Sequence, residues 1–228
     1  MTGDRLGEAL RLLQLHDLFQ EVPEVTVACT DALEMDGLAL SLVTGGTDTE
    51  LLWCSEAARD FEDLQFTIGH GPEPDTVRTK TVQWVPDWDR VRPGRWPALT
   101  SQAVELQARA VFCFPLAAGT HLIGVLTTVR RTPGPLTARQ ADNAWMLAAA
   151  LTARYLNIGE APLERPGRVL LHRRLVHQAS GMAAAQLDIP PRRALLQLRV
   201  LAFSSGRPLI DICQEVLDRR LRLDHSDN

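Results

Sequence analysis

Apolar residues recur along this chain with two spacings, and each change of spacing marks a change of element. Leu6, Leu10, Leu13 and Leu18 share one face of a 3.6-residue period, which predicts an amphipathic helix over 6–19, and a second helix fits 25–33. Residues 37–43, Gly-Leu-Ala-Leu-Ser-Leu-Val, have the length and alternation of a strand. The turn signal at 44–47 closes it and 50–54 returns as its hairpin partner. A helix over 57–65, a turn at 69–72, a short helix, a strand at 81–85, a polar connection and a helix over 98–107 follow. Two strong strands at 110–116 and 121–129 and a long helix over 137–156 complete this part. Paired strands interleaved with helices in this order predict an α+β fold, an antiparallel sheet with flanking helices.

The stretch 159–167 breaks the helical pattern twice, at Pro162 and Pro166, and reads as a linker. Beyond it only the helical spacing remains. Leu171, Leu175, Ala179 and Met182 predict a helix over 168–187. Pro190 and Pro191 forbid its continuation, yet a proline suits the first position of the next helix, whose apolar face is Ala194, Leu198, Leu201 and Ala202. Gly206 suits the left-handed residue that closes a helix, and a third helix from about 208 turns Leu209, Ile212 and Val216 inward. Three short amphipathic helices bury those faces only against one another. The expected organisation is a domain at 1–158, the linker, and a three-helix bundle at 168–228.

Charge separates the two parts. Residues 159–228 carry eleven Arg and eight acids, a net +3, whereas residues 1–158 carry 13 basic and 20 acidic groups, a net −7. A polyanion is therefore expected to dock at the C-terminal end, where Arg forks match phosphate oxygens and release counterions. The hydrophobic fraction of 45% supports a packed core, while the absence of a run of about 20 apolar residues and of a basic leader predicts a cytoplasmic protein without a membrane span. Cys29, Cys54, Cys113 and Cys213 are widely spaced among apolar neighbours and read as buried hydrophobes.

The segments 172–182, with its Gln-Ala-Ser-Gly-Met turn, 194–202, Ala-Leu-Leu-Gln-Leu-Arg-Val-Leu-Ala, and 207–213, Arg-Pro-Leu-Ile-Asp-Ile-Cys, closely resemble the ANTAR module in order and spacing. That resemblance covers roughly the last quarter of the chain. It implies a small three-helix domain that binds paired RNA hairpins and prevents transcription termination. Together with the charge, it points to Arg173, Arg174, Gln178, Ser180, Arg192, Arg193, Arg199 and Arg207 as RNA-binding residues. Arg199 matches the family's Arg or Gln in the second helix, and Ser180 stands where the family has Lys or Gln.

The earlier part resembles a GAF domain through Gly69-His-Gly-Pro72, the Asp75 to Arg78 helix turn, Gln83-Trp-Val-Pro-Asp87 and the hairpin at 115–126. A GAF sensor implies a small-molecule ligand, unnamed by the sequence, with Trp53, Trp84, Trp88 and Trp96 as candidate pocket residues and 83–95 as a lid. His70 and His121 lack partners at metal-ligand spacing, so no metal or cofactor is expected. No nucleophile elbow, zinc-protease motif or framed carboxylate pair is present, and the chain is read as a non-enzyme. The helix over 137–156, with Ala141, Ala144, Trp145, Ala148, Leu151 and Tyr155, offers a surface to a second copy or to the first helix, and a homodimer is expected. Two alternatives stand beside the RNA-binding antitermination reading. One is a DNA-binding regulator built on the helix, Gly206 turn and helix; the other is a sensor whose C-terminal bundle has lost RNA binding.

Overall fold

The computed structural model describes residues 3–20, 22–44, 48–103, 108–158 and 170–223. The chain divides into two compact units, Met1–Arg168 and Val169–Asn228. The linker anticipated at 159–167 lies outside the described residues.

The first unit begins with α1 (Gly3–Leu15) and α2 (Pro23–Leu33), followed by the hairpin β1 (Gly37–Thr44) and β2 (Asp48–Cys54). Then come α3 (Glu56–Ile68), α4 (Pro72–Thr79), β3 (Gln83–Val85), a 3-10 turn at Trp88–Arg90 and α5 (Pro97–Ala103). The strands β4 (Ala110–Ala118) and β5 (His121–Arg130) and the helix α6 (Ala138–Ile158) close it. All strands pair antiparallel in the order β2-β1-β5-β4-β3, so β1 and β5, distant in sequence, lie side by side at the centre. This is the α+β class with an antiparallel sheet and flanking helices.

Period-2 alternation divides the sheet's side chains between two covers. Leu38, Leu40 and Leu42 of β1, Phe112 and Phe114 of β4 and Leu126 of β5 meet Leu13, Val25, Leu33, Leu147 and Leu151 from α1, α2 and α6 in the main core. The other face is covered by α3 and α4, with α5 packed on α3. Several boundaries differ from the sequence pattern. The first helix stops at Leu15 instead of 19, and the chain then turns so that the Leu18 carbonyl accepts the Trp53 indole N–H at 2.7 Å. The third strand is Gln83–Val85 and does not start at 81, because Lys80 in a left-handed conformation and the Thr79–Thr81 hydroxyl pair form a turn there.

The second unit is α7 (Leu170–Leu187), α8 (Pro191–Ser205) and α9 (Leu209–Leu217), each packed on the other two. Pro191 opens α8 and Gly206, at φ 64°, closes it. Asp188 also takes a left-handed conformation, at φ 49°, in the turn between α7 and α8. Among the described residues no helix is long and apolar enough to cross a membrane.

Candidate functional site

Among the described residues, each unit has a polar cluster. In the first unit, α3 turns Ala58, Phe61, Glu62 and Gln65 inward, and α4 does the same with Glu73, Thr76 and Val77. Glu62, Gln65 and Thr76 are 0% exposed and Glu73 is 2% exposed. The Gln65 amide donates to Glu62 Oε1 at 3.3 Å, and its carbonyl accepts the Glu73 backbone N–H at 3.0 Å. Gly71 makes this approach possible, because a Cβ there would stand 2.5 Å from Gln65 Oε1. Beneath lie Cys113 and Thr127 of the sheet, 3.5 Å apart between Sγ and Oγ1. Burial pushes the Cys113 thiol well above its ordinary range, with smaller contributions in the same direction from the Glu62 and Glu73 carboxylates. Glu73 Oε1 and the Trp88 indole nitrogen are both buried without a hydrogen-bond partner. Buried polar atoms without a partner are costly, so this polar cluster carries an energetic penalty inside the first unit.

The four candidate pocket tryptophans do not gather around one cavity. Trp88 and Trp96 are buried together with Phe61, at ring distances of 6.0 and 5.7 Å from Trp88. Trp96 sits at φ 52°, held by its indole N–H to Asp75 Oδ2 and by the Arg95 guanidinium 3.9 Å over its ring. Trp84 projects to the opposite face of the sheet, edge-on to Phe112 and Phe114, and is 44% exposed. Trp53 lies in the main core, tied to Leu18. Alternation along β3 separates Trp84 from Gln83 and Val85, which turn the other way. The segment expected as a lid instead borders an open groove of about 400 Å³ lined by Trp84, Pro86, Asp87, Arg90, Arg92 and Arg95. Glu62, Gln65 and Glu73 were missed by sequence reasoning, although extending the α3 stripe from Ala58 through Phe61 to Gln65 draws Glu62 onto the same face.

In the second unit, α7 turns Val176, Ala179, Ser180, Ala183 and Leu187 inward, and Arg173 extends that face toward the N-terminus. This places two of the residues selected for RNA contact away from the surface, a correction to the sequence reading. Ser180 is 3% exposed and donates to the Val176 carbonyl at 2.7 Å, and Arg173 is 2% exposed. Leu175 and Met182, expected inside, are half-buried, because the packed face is rotated toward 173, 176, 180, 183 and 187. Arg174 and Gln178 stand exposed on α7, and Arg192 and Arg193 on the first turn of α8. Arg199 is half-buried on the α9 side, where its charge acts on the Cys213 thiol. Arg207 is engaged in a two-pronged pair with Glu215, at 2.7 and 3.2 Å. Neither α7 nor α8 contains an Asp or Glu, whereas α9 carries Asp211 and Glu215 and is followed by Asp218. The charge of the bundle is thus uneven, with Arg174, Arg192 and Arg193 exposed on α7 and α8, Asp188 in the turn between them, and the other carboxylates on and after α9.

No family model and no curated protein matches the chain. Solved structures do. The GAF domain of a phosphoenolpyruvate-protein phosphotransferase from Coxiella burnetii is similar at TM-score 0.51 and 13% identity, covering 68% of this chain and 93% of that one. The GAF domain of an Acinetobacter phosphoenolpyruvate-protein phosphotransferase scores 0.49 at 10% identity, over 71% of this chain and 96% of that one. Free methionine-R-sulfoxide reductase from Neisseria meningitidis, solved in complex with its substrate, scores 0.49 at 15% identity, over 68% and 88%. The first of these likenesses, with the five-stranded antiparallel sheet and its flanking helices, establishes a GAF fold in this chain.

Proposed function

We propose that the chain is an RNA-binding transcription antitermination regulator in which the GAF-fold unit senses a signal and the C-terminal bundle, which resembles an ANTAR module, binds paired RNA hairpins. The observation that carries this reading is the acid-free, arginine-bearing surface of α7 and α8, with Arg174, Gln178, Arg192 and Arg193 exposed. Such a surface neutralises phosphates and gains affinity from counterion release. DNA readout by α9 is disfavoured, since its first turn has Leu209 buried and Asp211 exposed, where a phosphate backbone meets an opposing carboxylate. The protein works in the cytoplasm, where transcripts are made, and catalyses no reaction.

In this reading the signal acts on the first unit through the buried polar cluster of Glu62, Gln65 and Glu73, where Glu73 Oε1 and the Trp88 indole N–H have no hydrogen-bond partner. The protein acts as a homodimer, because two hairpins engage two bundles at once. The decisive experiment is the affinity of the intact protein for a tandem-hairpin RNA at several salt concentrations, with duplex DNA of equal charge as competitor. Tight, salt-dependent binding that survives the DNA is the expected result. Equal competition by DNA transfers the reading to a DNA regulator, and absence of binding with and without metabolite extracts leaves a sensor without an RNA output.

A further inference from the structure

We propose that Leu196, Val200 and Phe203 form a stacking surface for unpaired RNA bases, with Phe203 as the platform and Arg192, Arg193 and Arg199 holding neighbouring phosphates. This rests on the RNA-binding reading above. The three apolar side chains are 58%, 55% and 76% exposed. They follow one another at i, i+4 and i+7, so they make one continuous ridge down α8. The inward face of the helix is already complete in Ala194, Leu195, Leu198 and Ala202, and the ridge is no part of the bundle core. Scattered exposed apolar residues need no explanation, but an aligned run ending in an aromatic does.

Charge selects the occupant. The helix carries Arg192, Arg193 and Arg199 and no acid, so two copies of the ridge packed together bring like charges into contact. A nucleic acid supplies flat aromatic faces and phosphates in one polymer, which matches an apolar ridge rimmed by arginines. Bases within a duplex keep those faces in the stack, whereas hairpin loops splay them outward. The ridge therefore fits the loops, and the stems are left to the exposed arginines. Arg199 is three residues from Leu196 and four from Phe203, beside the ridge on its α9 flank.

The test uses the full chain and two probes: a tandem-hairpin RNA with 2-aminopurine in its loops, and the same stems annealed as a continuous duplex without loops. Phe203→Ala is expected to weaken hairpin binding roughly tenfold or more. It removes the fluorescence change of the loop 2-aminopurine while leaving duplex binding and the salt slope unchanged, and Phe203→Tyr retains both signals. At 76% exposure Phe203 is dispensable for folding, which circular dichroism of the variant checks. If Phe203→Ala binds the hairpins and shifts the fluorescence as the intact protein does, stacking is overturned while RNA binding stands. Failure of the intact protein to bind either RNA overturns both. A Phe203→Ala variant that loses self-association but keeps hairpin affinity assigns the ridge to a second copy and overturns the proposal.

Discussion

Ser180 shows how a single side chain is governed by the face on which it falls. Its hydroxyl is satisfied by the Val176 carbonyl inside the bundle, so Ser180→Ala leaves hairpin affinity unchanged, while Ser180→Lys buries a charge and destabilises the second unit by about 3 kcal/mol or more. Urea unfolding and RNA titration of both variants separate these outcomes. Position along a motif suggested RNA contact for Ser180 and Arg173, but neither spacing nor composition fixes the rotation of a helix whose stripe is mostly alanine. Gly124 is a different case. A Cβ there would stand 2.3 Å from the Ser41 carbonyl oxygen, which belongs to the neighbouring strand backbone and cannot swing away, so Gly124→Ala costs about 3 kcal/mol in urea unfolding. The cysteines were legible as buried hydrophobes from their apolar neighbours, and all four are buried, none of them in a disulfide. Burial pushes the Cys29 thiol from 9.0 up to about 12, and burial does the same for Cys213. A thiol held neutral in the folded state stabilises it fully below pH 9, and that contribution is lost as pH rises from 9 toward 12. Native protein at pH 8 is expected to show no fast reaction with 5,5′-dithiobis(2-nitrobenzoate), and all four thiols react once urea unfolds it.

At the scale of the element, long periodic stretches were legible and short ones were not. The hairpin at 110–130 and the helices α6 and α8 follow directly from their repeats, whereas β3 keeps three residues because the turn at 79–81 consumes the start of the apolar run. Leu195 rather than Leu201 completes the inward face of α8, a rotation of the stripe that places Leu196, Val200 and Phe203 outside. In α6, Ala144, Leu147, Ala148 and Leu151 enter the core, and α1 packs alongside. The outward stripe is Trp145, Met146 and Leu156, at 45%, 53% and 54% exposure, with Ala149 and Ala153 between them. Among the described residues the largest outward apolar side chains of this helix thus lie on one side. Dimerisation through it predicts that the pair Met146→Glu and Leu156→Glu yields a monomer by sedimentation velocity without lowering the unfolding midpoint, since neither side chain is in the core. A dimer that survives both substitutions excludes this face.

For the whole molecule, the division of charge between a −7 first part and a +3 last part was legible from counting, as was the run of α7 and α8 without an acid, while which of their arginines reach the surface required the packing of the three helices. The buried polar cluster of the first unit was the least legible feature, since Glu62 and Gln65 on α3 meet Glu73 only after α3 and α4 have packed on the sheet. Under the proposed function, two weak sites act together. Each bundle exposes a few arginines, and a single hairpin held by about three phosphate contacts is expected to bind with a salt slope near −3 and modest affinity. Two bundles joined in a dimer convert the second contact into an intramolecular one, which raises affinity by about 10² to 10⁴ when the geometry permits both. The intact protein is therefore expected to bind a tandem-hairpin RNA at least about 100-fold more tightly than a single hairpin. The α6 monomer variant loses that ratio and keeps its single-hairpin affinity, and Arg192→Ala with Arg193→Ala lowers the salt slope for either RNA by about 2 per bundle engaged. Equal affinity of the intact protein for one hairpin and two excludes avidity as the device, and the effect of the sensor must then be sought within a single bundle.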